Sequence, residues 1–208
     1  MNSNKQLYLV TDHRIPFDLL EKKVKLCLEA GIDVLQYRNK YADTRVQYEE
    51  SSRLKKLCHE FGVPFIINDR IDVALSIDAD GIHLGQSDMP LDIARQLLGP
   101  DKLLGASVHN SQEAYDAIKA GADHVGVGAL FHTSTKVNTK LISLIVLEEI
   151  RATIKDIPIY GIGGITPNNL TSEYLKILDG AAIISAILNC SNPTTEVKKF
   201  NALLKKQN

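Results

Sequence analysis

The chain has 208 residues, with 24 basic and 25 acidic side chains and a formal net charge of −1, so nothing favours nucleic acid or an anionic membrane as a partner. No stretch reaches the roughly 18 uncharged apolar residues of a membrane span, and the first apolar run is too short for a signal peptide. The three cysteines fit neither a zinc site nor a disulfide framework, and we expect a cytoplasmic globular protein.

Eight short apolar runs recur along the chain, and each is followed by a helical pattern. Runs of this kind are typical of parallel strands that are buried on both faces. We predict strands at residues 7–11, 34–38, 64–68, 81–85, 103–108, 124–129, 157–163 and 181–185.

The segments between the runs have the periodicity of amphipathic helices. Asn110 precedes Glu113 by three residues, which is the spacing of a capping box at a helix start. Thr166 stands before Pro167, and this pair predicts another helix start.

Eight strand–helix units predict a (β/α)8 TIM barrel in a single domain, with a core at about residues 7–190 and a carboxyl-terminal helix at about 193–206. A doubly wound open sheet is the alternative. A weak repeat, "AG(I/A)D", ends at Asp33 and again at Asp123. In such barrels the functional residues follow the carboxyl ends of the strands.

Two aspartates, Asp69 and Asp88, follow the third and fourth runs. Neighbouring strands lie roughly 5 Å apart, so the two carboxylates and Asn68 could form a hard-oxygen site suited to Mg²⁺. The alternative is that these aspartates cap helices or pair with Arg70 and Arg95. The spacing alone leaves both interpretations open.

Basic residues follow the second and sixth runs. Gln36, Arg38 and Lys40 alternate, so they share one strand face that should project into the barrel mouth. Two cations and an amide suit a polyphosphate, although a solvated strand end would look the same. Lys136 lies in a hydroxyl-rich loop, residues 132–136, which is a weaker indication of an anion site.

Glycines and a serine follow the last two runs, where barrels commonly bind phosphate. Gly163 and Gly164 would let backbone N–H groups approach an anion, and Ser185 would add more donors. The pattern predicts two anionic ligands and contains no evident catalytic nucleophile. His83 is expected to pack in the core, and His109 could be an acid, a base or a structural hydrogen-bonding group.

Several of these motifs together resemble the thiamin phosphate synthase family over about residues 7–190. They are "LYLVTD", "LQYRNK", "PFIINDRIDVALSIDADGIHLGQSDMP", "LGASVHNSQEA", "AGADHVGVGALFHTSTK", "IPIYGIGGITPNN" and "IISAI". The resemblance implies a transferase that joins a hydroxymethylpyrimidine diphosphate to a thiazole phosphate and releases pyrophosphate. It also implies Mg²⁺ as cofactor and small-molecule substrates as partners. We expect no nucleic-acid or membrane partner, and a homo-oligomer is possible.

The resemblance also implies roles for particular residues. Asp69 and Asp88 would bind Mg²⁺. The pyrimidine diphosphate would contact Gln36, Tyr37, Arg38, Asn39, Lys40, Asn68, Ser107 and Lys136. The thiazole phosphate would contact Thr133, Ser134, Thr135, Gly164, Ile184 and Ser185. The expected catalytic residues, which act by positioning and electrostatics, are Arg38, Lys40, Ser107 and Lys136.

Three positions depart from the family pattern: Asn39 replaces a usual Glu, His132 a usual Pro and Ser143 a usual Gly. These changes leave two alternatives open, a thiazole tautomerase-like isomerase and a non-catalytic paralogue that binds thiamin precursors. Related tautomerases carry a catalytic His where this chain has Ala129. The retained acids and Lys136 favour the synthase.

Overall fold

The structure is a computed structural model that describes residues 5–133 and 140–205. Within these ranges eight parallel strands form a closed barrel in the order β1 to β8, so the predicted TIM barrel is confirmed. The strands are β1 (Gln6–Val10), β2 (Val34–Tyr37), β3 (Phe65–Asn68), β4 (Gly81–Leu84), β5 (Leu103–Val108), β6 (His124–Val127), β7 (Ile159–Ile162) and β8 (Gly180–Ile183).

A helix follows each strand, and one more ends the described chain. The helices are α1 (Phe17–Glu29), α2 (Thr44–Glu60), α3 (Ile71–Ser76), α4 (Leu91–Leu98), α5 (Ser111–Lys119), α6 (Leu144–Ile154), α7 (Ser172–Ile177), α8 (Ser185–Leu188) and α9 (Pro193–Leu204). No helix in the described ranges is long and apolar enough to cross a membrane.

Alternation along the strands divides the apolar residues into two cores. The larger core lies between barrel and helices and takes one set of strand residues, such as Leu7, Leu9 and Leu35. A smaller cluster inside the barrel takes the other set, such as Tyr8 and Val10. Successive strand side chains point to opposite faces, so each strand contributes to both cores.

One of the two predicted helix starts is confirmed. The Asn110 side chain accepts a hydrogen bond from the Glu113 backbone N–H at 2.9 Å and caps α5. The start predicted at Thr166 is wrong. Helix α7 begins at Ser172 after Thr171, and the Asn169 side chain accepts from the Thr166 N–H and so closes a separate turn.

Four aspartates close the amino-terminal end of the barrel in the same way. Each stands just before an even-numbered strand and accepts a hydrogen bond from a backbone N–H near the start of the preceding strand. The pairs are Leu7 to Asp33, Phe65 to Asp80, Leu104 to Asp123 and Ile159 to Asp179, each at 2.7 or 2.8 Å. This function accounts for the repeated "AGxD" phrase.

Cationic side chains complete this closure at three of the four positions. Arg95 reaches Asp123 from α4 at 2.5 Å, and Arg151 reaches Asp179 from α6. Lys205, beyond α9, lies 3.7 Å from Asp33. The charge of each of these aspartates is therefore met by a backbone donor and by a cation.

Candidate active site

A cavity of about 400 Å³ occupies the carboxyl-terminal end of the barrel, a volume typical of small-molecule sites. Eight strand ends and loops contribute to its wall. The predicted site residues that line it are Gln36, Arg38, Lys40, Asn68, Asp69, Asp88, Ser107, Thr133, Gly164, Ile184 and Ser185. Ser134, Thr135 and Lys136 lie outside the described residues.

Two predicted substrate contacts, Tyr37 and Asn39, do not line the cavity. The Tyr37 hydroxyl donates to Glu50 of α2 at 2.5 Å, and the Asn39 amide donates to the same carboxylate at 3.3 Å. Alternation explains this placement. Gln36, Arg38 and Lys40 face the cavity, and Tyr37 and Asn39 are the residues between them, so their side chains point to the opposite face. The two side chains therefore lie outside the cavity wall of this structure, and their contact with substrate stays a prediction.

Asp69 and Asp88 come together at the ends of β3 and β4, as the spacing predicts. Asp69 adopts a left-handed φ of 63°, and its N–H donates to the His83 carbonyl at 2.9 Å. Asp88 accepts the Gly85 N–H at 2.6 Å. Desolvation raises the pKa of Asp88, and the hydrogen bond and charge of Asp69 raise it further.

A cation meets this carboxylate pair: Lys40 Nζ lies 2.8 Å from Asp69 Oδ2. Arg38 shares the wall with Lys40. One described lysine thus partly balances two carboxylates that face each other. This region, Arg38, Lys40, Asp69 and Asp88, is hereafter called the diphosphate half.

Ser107 is fixed by two side chains from the neighbouring β4 segment. His83 Nε2 lies 3.0 Å from the Ser107 hydroxyl, and the Gln86 amide donates to the Ser107 carbonyl at 2.7 Å. His83 therefore lines the cavity and does more than pack in the core. Burial, and then the charge of His124, lower the pKa of His83 to about 3.

The deep wall contains three aromatic residues that the pattern of strand ends did not reveal. Tyr8, His124 and Tyr160 line the cavity from positions inside β1, β6 and β7. Tyr8 accepts a hydrogen bond from the Gln36 amide at 2.9 Å. Each stands two residues before another cavity-lining residue, namely Val10, Gly126 or Ile162. Residues two apart share one strand face, and this spacing is the signal that could have identified the three rings as inward-facing.

The glycine turn after β7 has the backbone that an anion site needs. Gly163 and Gly164 have φ values of 96° and 64°, a region that favours glycine. A Cβ on Gly164 would lie 2.3 Å from the His132 carbonyl oxygen. With Ile184 and Ser185 after the neighbouring strand β8, this turn forms the second half of the cavity, hereafter the phosphate turn (Gly163, Gly164, Ile184 and Ser185).

The three departures from the family pattern leave the wall of the cavity largely intact. Asn39 lies outside the wall and accepts backbone hydrogen bonds from Tyr41 and Ala42, so it closes the turn after β2. Ser143 caps α6 by accepting the Val146 N–H at 3.3 Å. His132 is exposed and does not line the cavity.

His109 lines the cavity and is oriented by the same helix that Asn110 caps. Its Nδ1 lies 2.8 Å from Glu113 Oε2, and its backbone N–H donates to the same oxygen. Of the two roles predicted, the structural hydrogen bond is present.

Comparison with known proteins agrees with this geometry. A family model described as thiamine monophosphate synthase matches residues 7–187. Thiamine-phosphate synthase from Clostridium perfringens is 50% identical over 202 residues and 97% of each chain. Its counterpart from Clostridium acetobutylicum is 41% identical over 99% of this chain and 97% of its own.

A solved structure is similar in the same way. Thiamine phosphate pyrophosphorylase from Pyrococcus furiosus superimposes with a TM-score of 0.87 and 36% identity, over 98% of this chain and 97% of that one. The resemblance and the enzyme class predicted from the sequence are confirmed. The chain belongs to the thiamine monophosphate synthase family.

Proposed function

We propose that the cavity joins a hydroxymethylpyrimidine diphosphate to a thiazole phosphate, releasing pyrophosphate and giving thiamin phosphate. The observation that carries this proposal is the pairing of two different anion-binding regions in one cavity. The diphosphate half offers cations and carboxylates near β2 to β4. The phosphate turn offers neutral backbone donors at β7 and β8, across the barrel.

The carboxylates of the diphosphate half fit a divalent cation. Asp69 and Asp88 are hard oxygen donors that face each other, and desolvation, followed by the proximity of Asp69, raises the pKa of Asp88. The described residues contain no cluster of three or more His, Cys, Asp or Glu that could hold a metal, so substrate oxygens and water would complete the shell. A bound Mg²⁺ would neutralise charge on the diphosphate and on departing pyrophosphate.

The chain's own residues support a dissociative reaction. Arg38 and Lys40 place positive charge where the diphosphate oxygens leave, which favours cleavage of the bond to the pyrimidinylmethyl carbon. The aminopyrimidine stabilises the resulting cation, and the thiazole nitrogen attacks it. The cavity needs only to position the two rings, so no enzyme nucleophile is required.

Neutral surroundings of the pyrimidine ring are part of this proposal. His83 and His124 have pKa values lowered to about 3 and about 4, in both cases chiefly by burial. Both imidazoles are therefore uncharged near neutral pH and would not repel a developing cation. Ser107, held by His83, would orient the ring.

We also place the reaction in the cytoplasm, because phosphorylated substrates do not cross membranes unaided.

A direct assay tests the proposal. The protein is mixed with both substrates and Mg²⁺, and pyrophosphate and thiamin phosphate are quantified. We expect equal amounts of the two products, and their loss when a chelator is added. Folded protein that forms neither product would contradict the synthase, and full turnover in the chelator would contradict the role of Mg²⁺.

The same assay separates the alternatives. Loss of the unaromatised thiazole without any pyrimidine substrate would indicate a tautomerase. Binding of both substrates without turnover would indicate a non-catalytic paralogue. Ala129, which lines the cavity, has no acid–base group, and this is why we favour the synthase.

A further inference from the structure

Thr11 is a buried polar residue at the carboxyl end of β1, and the proposed reaction assigns it no role. Its side chain is 1% exposed and does not line the cavity. Its hydroxyl accepts the Arg38 backbone N–H at 2.8 Å and lies 3.4 Å from the Arg38 carbonyl oxygen. Both of these contacts are with the peptide of a residue in the diphosphate half.

These contacts continue the β1–β2 ladder beyond the strands. Paired residues end at Val10 and Gln36, and the Thr11 N–H donates to the Gln36 carbonyl at 2.9 Å. Arg38 lies past the end of β2, where a backbone partner from β1 is no longer available. The Thr11 hydroxyl takes the place of that partner.

The segment that Thr11 anchors contains two cations of the cavity. Arg38 and Lys40 both line the wall, and Lys40 reaches Asp69 at 2.8 Å. The far side of the segment is fixed by Asn39, whose side chain accepts the Ala42 N–H. Thr11 holds the other end of the segment, at Arg38. It therefore helps to set the direction in which the Arg38 and Lys40 side chains point into the cavity.

We infer that Thr11 is a positioning residue for the diphosphate half, an inference that rests on the proposed function. Its hydroxyl holds the Arg38 peptide and thereby preorganises Arg38 and Lys40 for an anion. Preorganised charge binds more tightly because less freedom is lost on binding. A merely structural hydroxyl would affect folding and both substrates alike.

The test compares Thr11→Val with Thr11→Ser. Valine keeps the shape and removes both hydrogen bonds, whereas serine keeps the hydroxyl. We expect Thr11→Val to raise KM for the pyrimidine diphosphate about tenfold, the effect of roughly one hydrogen bond to a binding element. KM for the thiazole phosphate should change less than about twofold, and Thr11→Ser should restore the wild-type value.

Ser51→Ala is the matched control, because Ser51 is also fully buried but its hydroxyl donates to the Tyr48 carbonyl within its own helix, α2. It should leave both KM values unchanged. Equal changes in both KM values for Thr11→Val, or no rescue by serine, would overturn the inference. If Thr11→Val does not fold, Thr11→Ala against Thr11→Ser isolates the hydroxyl in the same way.

Calorimetric titration with inorganic pyrophosphate and Mg²⁺ makes the test independent of turnover. Thr11→Val should bind pyrophosphate about tenfold more weakly than wild type and Thr11→Ser. Wild-type protein without synthase activity would remove the proposed function but leave this titration valid. Equal pyrophosphate affinity in wild type and Thr11→Val, or no binding by wild type, would refute the positioning role.

Discussion

The two ends of the barrel use aspartate in opposite ways. At the amino-terminal end Asp33, Asp80, Asp123 and Asp179 each accept a strand N–H, and three of them also meet a cation. At the carboxyl-terminal end Asp69 and Asp88 face each other, and within the described residues Lys40 forms an ion pair with Asp69 but not with Asp88. The first arrangement stabilises the fold, whereas the second leaves charge for a ligand to neutralise.

The difference shows that a residue type has no fixed role in this fold. An aspartate whose oxygens are already satisfied contributes stability, while one whose charge is left uncompensated is available for binding. For these six aspartates, position relative to the strand separates the two roles, because the loops before strands reach the amino-terminal end and the loops after β3 and β4 reach the cavity. Substitutions at the two ends should therefore separate stability from activity.

Removing both cavity carboxylates should have the largest effect. The double substitution Asp69→Asn with Asp88→Asn should lower product formation at least about 100-fold, because the metal and its charge stabilisation would be lost. The free energy of unfolding should fall little, since two like charges are removed. Activity is followed by pyrophosphate release, and denaturant unfolding supplies the second measurement. Turnover near the wild-type rate would show that these aspartates do not bind the metal.

Removing an aspartate at the amino-terminal end of the barrel should lower the stability of the protein and leave its activity unchanged. Asp179→Ala deletes the acceptor of the Ile159 N–H and the partner of Arg151. We expect a loss of about 2 kcal/mol in unfolding free energy, typical of a hydrogen bond to a charged group, with KM values unchanged.

Urea unfolding of Asp179→Ala is measured beside Asp72→Ala as control. Asp72 pairs with Arg70 while 54% of its side chain is exposed, and such pairs contribute about 1 kcal/mol or less. A stable Asp179→Ala protein with impaired substrate binding would break the proposed division between the two ends.

The smallest expected effect concerns how stability depends on pH. The carboxyl groups of Asp88 and Asp12 should contribute to this dependence with opposite signs. The pKa of Asp88 is raised, chiefly by desolvation and then by Asp69. Its contribution to stability is therefore present below the ordinary aspartate pKa and is lost as pH rises through the folded pKa. Asp88→Asn should gain stability over wild type at neutral pH in metal-free buffer, and this gain should disappear in acid.

Asp12 supplies the contrast. The hydrogen bond from Arg14 lowers the pKa of Asp12, so its stabilising contribution is present above the ordinary pKa and is lost as pH falls through the folded pKa. Asp12→Asn should be less stable than wild type at neutral pH and equal to it in acid. Thermal unfolding from pH 3 to 8 measures both variants, and slopes of the same sign would contradict the assignment.

Much of this molecule could be predicted from local pattern. Eight apolar runs predicted the barrel. Polar residues at or just after the ends of the runs, such as Arg38 and Asp69, were predicted to meet in the cavity, and the family resemblance added Ser107. This succeeds because a closed parallel barrel brings all carboxyl strand ends to one rim. The start of α7 was predicted wrongly at Thr166, because a turn closed by Asn169 comes before the helix.

The hydrogen-bond partners of several side chains could not be predicted, because those partners lie on other elements of the fold. Tyr37 and Asn39 contact Glu50. Alternation places both residues on the face opposite Gln36, but the motif does not show that Glu50 of α2 is their partner. The Thr11 hydroxyl bonds to a peptide 27 residues away, which no local pattern contains. The partners of Asp33 and Asp179 are likewise set by the closure of the barrel.

The inner core of the barrel has no room for a side chain at Gly105, because two imidazole rings occupy the space. A Cβ there would lie 2.3 Å from His124 Nε2 and 2.4 Å from His83 Nδ1, two nitrogens without a hydrogen-bond partner among the described residues. Most barrels fill their interior with branched apolar side chains. In this barrel, imidazole rings and the cavity occupy part of the interior. Ligand occupancy should therefore supply contacts that the empty barrel lacks. By mass action, saturating substrate would raise the melting temperature, and thermal shift could rank ligands before any turnover is measured.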